Sequence, residues 1–197
     1  MKKLLLFLTV LLGLTLTSTA ADYKLVTSSS ELEIGANYII ASGTEGDAYA
    51  LGTQGGNNCT AISVSVTNSI ISNPSAEVRV FLLAEGTVDN TYGFFDSNSN
   101  GYLYAASSSK NYLRTETTLT ANSSASIAID GSSYEATIIF QGSNTRNMIR
   151  YNSSSTLFSC YSSGQNPVYL FKEFNNTSTP TLAAPTFNPE NGFEFTS

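Results

Sequence analysis

The segment YGFFDSNSNGYLYA, residues 92–105, shows the pattern that decides the fold of this chain. An aromatic run begins at Tyr92, a polar turn ends in Asn100-Gly101, and a second aromatic run begins at Tyr102. Tyr and Phe favour β-strands, whereas Asn-Gly is a frequent hairpin turn. The segment therefore predicts a β-hairpin. Similar short segments recur along the chain with almost no helical periodicity, which predicts an all-β protein.

These segments can be grouped into three units of four strands, over residues 38–82, 92–129 and 137–171. Their period is about forty to fifty residues, a length typical of repeated structural units. Three units in the same order are typical of a β-trefoil, in which three hairpins cap a six-stranded barrel. The segment Gly101–Ala106 also resembles the Gly-x-Tyr-Leu strand of many trefoils. A β-sandwich of about twelve short strands is the alternative fold.

Alternation within the strands predicts which side chains face the barrel interior, because successive residues of a strand point to opposite faces. The three units should then be related by a pseudo-threefold axis. The predicted inward residues are Ile62, Val64, Val80, Leu82, Leu103, Leu113, Ile127, Ile129, Ile138, Phe140, Ile149, Leu157, Val168 and Leu170.

Residues 1–20 have the layout of a bacterial signal peptide. Lys2-Lys3 precedes an apolar run from Leu4 to Leu16, and Ser18-Thr19-Ala20 supplies small residues for cleavage. The run is short for a membrane span, so an uncleaved anchor is the weaker alternative. We expect a secreted protein, extracellular, periplasmic or on the cell surface, with no membrane contact after cleavage.

The remaining sequence divides into a trefoil-like domain at 22–173, a polar, Pro-containing linker at 174–184, and a short piece at 185–197. That piece contains Pro185, Phe187, Pro189 and a Gly192 turn, and resembles the start of the β-sandwich found at the C-terminus of chitobiase and β-hexosaminidase. Thirteen residues are too few to bury a core. We therefore expect further domains in the same longer chain.

The trefoil-like domain is also similar to a module of secreted proteins from gut Bacteroidetes, which occurs beside nuclease, lamin-tail-like and chitobiase-type modules. The resemblance is carried by six segments, which are Tyr23–Val26, Gly35–Ser42, Tyr102–Ser108, Gly142–Asn147, Ile149–Asn152 and Leu157–Tyr161. It implies an accessory module and supplies no catalytic residues.

Composition excludes several functions. The net charge of −6 argues against nucleic acids and anionic membranes, both of which require clustered cations. The chain has no His, which excludes His-dependent nucleophilic catalysis and most zinc sites.

The alternating oxygen side chains from Asp96 to Gly101 fit a hairpin turn better than a calcium loop. We predict no cofactor, no metal and no enzyme activity; hydrolysis by a carboxylate pair is the least favoured alternative.

Aromatic, Arg and Asn side chains are the candidates for binding, since sugars need flat apolar faces and polar groups at the rim. We predict a carbohydrate-binding module; the alternative is a structural spacer or a protein-docking module. Buried strand aromatics would be the ordinary explanation for any single Tyr. The candidate ligand residues are Tyr102, Tyr104, Tyr112, Arg114, Arg146, Arg150 and Tyr151.

Cys59 and Cys160 are the only cysteines of the chain. In an oxidising compartment a disulfide between them would close a long loop and contribute ~4 kcal/mol. The sequence leaves two alternatives open, this bridge or two buried thiols.

Overall fold

The computed structural model describes residues 21–174 and the backbone of two short strands beyond them. The predicted signal peptide, residues 175–184 of the predicted linker, and all of 185–197 except the backbone of these two strands lie outside the described residues. In the part that is described, no helix is long and apolar enough to cross a membrane. The strands are β1 Asp22–Leu25, β2 Asn37–Ser42, β3 Gly46–Gly55, β4 Asn58–Val66, β5 Ile70–Ser72, β6 Phe81–Glu85, β7 Tyr92–Asp96, β8 Gly101–Ala105, β9 Leu113–Glu116, β10 Ala125–Ile129, β11 Ala136–Phe140, β12 Met148–Asn152, β13 Leu157–Tyr161, β14 Tyr169–Phe174, β15 Thr186–Asn188 and β16 Gly192–Glu194.

Six strands close into a barrel. Strand β2 pairs with β6, β6 with β7, β7 with β10, β10 with β11, and β14 with β2, all antiparallel. The ring closes between β11 and β14, where the Ala136 amide donates to the Val168 carbonyl at 2.8 Å. The remaining strands of the three units form the hairpins β3–β4, β8–β9 and β12–β13. The predicted β-trefoil is confirmed.

The barrel core contains residues from all three units. Seven of the predicted inward residues are buried in it, and Ile127 and Ile129 pack against it half-buried. Large rings of Tyr38, Phe81, Phe94, Phe140 and Phe158 fill much of the interior. The buried predicted residues are Leu103, Leu113, Ile138, Phe140, Ile149, Val168 and Leu170. Leu157 is half-buried.

Leu82 was predicted to face inward, and this prediction is wrong. Its side chain is 40% exposed, whereas Phe81 and Leu83 on either side are buried in the barrel core. Residues 78–83 read Val-Arg-Val-Phe-Leu-Leu, with apolar residues on both faces of the strand. A one-residue shift exchanges the two faces, so this run alone cannot fix which face is inside.

A second apolar layer lies outside the barrel. Strand β1 pairs with β14 on one side and with β5 on the other. Strand β1 precedes the first unit, and β5 lies within the first unit in addition to its four strands. Tyr23, Ile39, Ile71 and Phe171 are buried in this layer. Three residues predicted for the barrel interior are half-buried against it instead, and these are Ile62, Val64 and Val80.

The two cysteines are free thiols, both buried in the barrel core. Cys59 on β4 lies directly opposite Phe158 of β13, so Cys160 is its diagonal neighbour on the same face. Diagonal Cα atoms are typically ~7–8 Å apart. Since a bridge needs Cα atoms closer than about 7 Å, this arrangement favours two thiols. Of the two alternatives that the sequence leaves open, the structure therefore has two buried thiols rather than a bridge.

Candidate functional site

A groove of about 560 Å³ lies on the outer surface, beside β1, β2, β6 and β7. Its apolar lining includes Tyr23, Val80, Leu82 and Phe95. None of the described residues that line it is charged. The polar residues of the lining are Asn37, Asn73, Asn98, Ser75 and Ser97.

The register of the barrel strands positions the floor of the groove. Leu82 lies opposite Asn37 on β2 and opposite Phe95 on β7. Directly opposite residues of an antiparallel pair share a face, so all three side chains point outward. Their neighbours Tyr38, Phe81 and Phe94 belong to the barrel core. The same alternation that fills the barrel therefore exposes an apolar floor.

Hydrogen bonds fix two of the three asparagines. The Asn37 Nδ2 donates to Glu173 Oε2 at 2.6 Å, and among the described residues no donor reaches the Asn37 Oδ1. The backbone N–H of Asn98 donates to Asp96 Oδ1 at 2.9 Å, which shapes the turn after β7. The other carboxylate oxygen of Asp96 lies 3.8 Å from Arg79 Nε. Asp96 therefore stabilises the hairpin turn that the segment from Asp96 to Gly101 predicts.

Tyr23 contributes a neutral phenol to the groove. Burial, with a smaller contribution from the Glu173 carboxylate, raises the pKa of Tyr23 to about 12. The hydroxyl therefore keeps its proton at any physiological pH and can both donate and accept a hydrogen bond.

Four of the candidates predicted from the sequence come together on the β8–β9 hairpin. Tyr104 lies opposite Arg114, and Tyr102 opposite Glu116, so these side chains share the outer face and are half-buried. The Arg114 guanidinium lies 5.4 Å from the centroid of the Tyr112 ring, a cation–π distance. Its Nη2 also donates to Asn57 Oδ1. Arg114 is thus held in place by neighbours within the domain.

The three candidates from the third unit do not form one site. Arg150 pairs with Glu135, and its side chain is only 14% exposed. Tyr151 is 5% exposed and packs between Phe158 and Tyr49, so its ring has no face for a ligand. Arg146 Nη1 donates to Asn111 Oδ1 at 2.6 Å, next to Tyr112 in sequence. Arg146 therefore contacts the loop that leads into β9.

Sequence reasoning missed the groove residues. Asn37, Asn73 and Asn98 come from three separate segments, and amides in loops are ordinary turn residues. The available signal was Phe94-Phe95 in β7: adjacent residues point to opposite faces, so one of the two rings must lie outside the barrel.

No family model and no curated protein matches this sequence. Two similar solved structures are trefoils or threefold proteins. The structure described as "BEL beta-trefoil apo crystal form 3" has a TM-score of 0.54 at 12% identity, covering 76% of this chain and 100% of that chain. The "designed 3-fold symmetric protein, ThreeFoil" has a TM-score of 0.49 at 14% identity, covering 70% and 99%. The first likeness agrees with the strand pairing: the chain has a β-trefoil fold.

Proposed function

We propose that this protein is a non-catalytic accessory module of a secreted protein, and that it binds carbohydrate in the groove. The observation that carries the proposal is the combination of an apolar floor with an amide and hydroxyl rim and no charged side chain in the lining. A pyranose ring has a C–H-rich face that packs on apolar and aromatic side chains. Its hydroxyls both donate and accept, as amide side chains do. Few polar groups around an apolar surface are the usual composition of a small-molecule site.

The charge of the lining favours a neutral sugar. An anionic ligand would need a cation within the groove, because a buried charge without a partner is costly. The described lining offers none, and the whole chain has a net charge of −6. A neutral saccharide loses only hydroxyl hydration, which the asparagines can replace.

A binding role without catalysis fits the chemistry of the chain. Glycoside hydrolysis generally uses two carboxylates across the scissile bond. The described lining of the groove contains no carboxylate, and the sequence contains no His.

The test is binding of the purified chain to immobilised neutral polysaccharides by affinity gel electrophoresis and calorimetry. We expect Leu82→Ala, on the groove floor, to reduce affinity by about tenfold, or ~1.4 kcal/mol. Ile34→Ala is the matched control, since Ile34 is also an exposed aliphatic residue (54%) and lies outside the groove. If the wild-type chain binds no neutral polysaccharide, the proposal is wrong.

A protein-docking module is the second candidate function. Strand β1, where the described domain begins, pairs along its length with β14, where it ends, with Asp22 opposite Phe174. A domain with adjacent ends adds little distance between the segments that flank it, which favours docking over spacing. Binding to a target surface that survives periodate oxidation of its glycans would support docking and contradict the carbohydrate proposal.

A further inference from the structure

The groove and the β8–β9 residues belong to one continuous surface. Asn37 lies opposite Leu82, Leu82 opposite Phe95, Phe95 opposite Tyr102, and Tyr102 opposite Glu116. Each pair is directly opposed across an antiparallel pair of strands, so all five side chains share the outer face. We call these five residues the outer ladder. It crosses β2, β6, β7, β8 and β9 without a break.

The outer ladder is apolar in the middle and polar at both ends. Leu82 is 40% exposed, and the half-buried rings of Phe95 and Tyr102 contact each other with centroids 5.1 Å apart. Asn37 at one end is fixed by Glu173. Glu116 at the other end is fixed through Oε1, which accepts hydrogen bonds of 2.6 Å from the Thr120 and Ser123 hydroxyls. A ligand that lies along the outer ladder would contact apolar and aromatic side chains in the middle and hydroxyl-binding groups at the two ends.

The length of the outer ladder exceeds what a single sugar can cover. Five strands span four inter-strand steps of ~4.8 Å each, or roughly 19 Å. The next pair on the same face, Tyr104 and Arg114, widens the surface at the Glu116 end. The Arg114 guanidinium donates to Asn57 and lies against the Tyr112 ring, so its position is fixed by neighbours within the domain.

We propose that the outer ladder binds several consecutive residues within an extended, neutral glycan chain, rather than one terminal sugar. This inference rests on the proposed carbohydrate-binding function and adds its ligand class. Leu82, Phe95 and Tyr102 pack against successive rings, while the Asn37 amide and the Glu116 carboxylate bind hydroxyls at the two ends.

The experiment is calorimetry on the full chain with neutral oligosaccharide series (malto, cello, xylo and manno) from the monosaccharide to the hexasaccharide. For at least one series we expect affinity to rise with length by about tenfold or more before it levels off. Tyr102→Ala should remove most of this gain, so that this variant binds the hexasaccharide little more tightly than the shortest oligomer that it binds. Tyr102→Phe keeps the ring and should retain the gain, which separates loss of stacking from loss of folding. Ile34→Ala should match the wild type.

The outcomes separate the two proposals. If a monosaccharide binds as tightly as a hexasaccharide, or if Tyr102→Ala binds the long oligomers as the wild type does while Leu82→Ala does not, the extended-chain inference fails and carbohydrate binding stands. If no oligosaccharide and no polysaccharide binds, the proposed function fails and this inference fails with it.

Discussion

Gly142, in the turn after β11, lies directly against the backbone of Asn122 in the loop between β9 and β10. A Cβ atom at position 142 would stand 2.7 Å from the Asn122 Cα, closer than real Cβ contacts. The two segments can therefore pack only with glycine at this position. Because backbone atoms are on the other side of the contact, a side-chain rotation cannot relieve it.

We expect Gly142→Ala to lower the free energy of unfolding by ~1–3 kcal/mol, as overpacked substitutions do. Gly131→Ala is the matched control, because a Cβ at 131 would meet nothing within 4 Å. Urea denaturation of the two variants measures the difference. Equal stability of Gly142→Ala and Gly131→Ala would contradict the close packing.

Leu103 and Ile149 occupy the barrel core from the first strand of two different hairpins, and both are fully buried. Truncation to Ala should cost ~2–5 kcal/mol at either position, the usual range for a large-to-small core change. Val88→Ala, at a side chain that is 37% exposed, should cost less than ~0.5 kcal/mol. Thermal or urea unfolding of the three variants tests this, and a Leu103→Ala protein as stable as Val88→Ala would exclude the assigned register of β8.

The fold was predictable because turn chemistry and alternation agree in most strands. In β8, one face carries Leu103 and Ala105 and the other carries Tyr102 and Tyr104. Turning the second face inward would bury two phenols, so the sequence clearly prefers the register that buries Leu103 and Ala105. In β6 the apolar residues occupy both faces, and Leu82 was assigned to the wrong one. Strands β1 and β5 break the threefold repeat, and no period in the sequence signals the layer that they add.

The candidate site was predictable only where it is local in sequence. Tyr102, Tyr104, Tyr112 and Arg114 belong to one hairpin, so chain proximity already places them together. The groove depends on the contact of β6 with both β2 and β7. That contact follows from barrel closure, which alternation within single strands does not encode. Tyr151 shows that alternation was informative there as well: it lies two residues after Ile149, which is predicted to face inward, so it shares the inward face and packs against Phe158.

The two thiols offer a chemical test of the core. Both Cys59 and Cys160 are buried and free. Burial raises the pKa of each, so neither is a reactive thiolate at neutral pH. We expect no reaction with Ellman's reagent in the native chain and release of about two equivalents of chromophore in guanidinium. Release of none in guanidinium would mean that the cysteines are bridged.

The same thiols predict how stability depends on alkaline pH. Burial, with a contribution from the Asp96 carboxylate, raises the pKa of Cys59 from 9.0 to about 12, and burial raises that of Cys160 well above 9.0. In the unfolded chain both thiols ionise near their ordinary value of about 8.5. A group whose pKa is raised by folding contributes to the stability of the folded state. This contribution is fully present below the pKa of the unfolded chain, and it is lost as the pH rises through the pKa of the folded chain. Above about pH 9 each thiol that is ionised only in the unfolded state should therefore lower the free energy of unfolding by about 1.4 kcal/mol per pH unit.

Urea denaturation under reducing conditions between about pH 7 and pH 11 measures the slope, and the double variant Cys59→Ala/Cys160→Ala should show a markedly smaller one. Other groups whose pKa is raised by folding remain in the double variant and together account for a residual decline above about pH 10; these are Tyr23, with its pKa raised to about 12, and Tyr38, Tyr151, Tyr169 and Lys172. An unchanged slope in the double variant would show that the thiols do not carry the alkaline sensitivity.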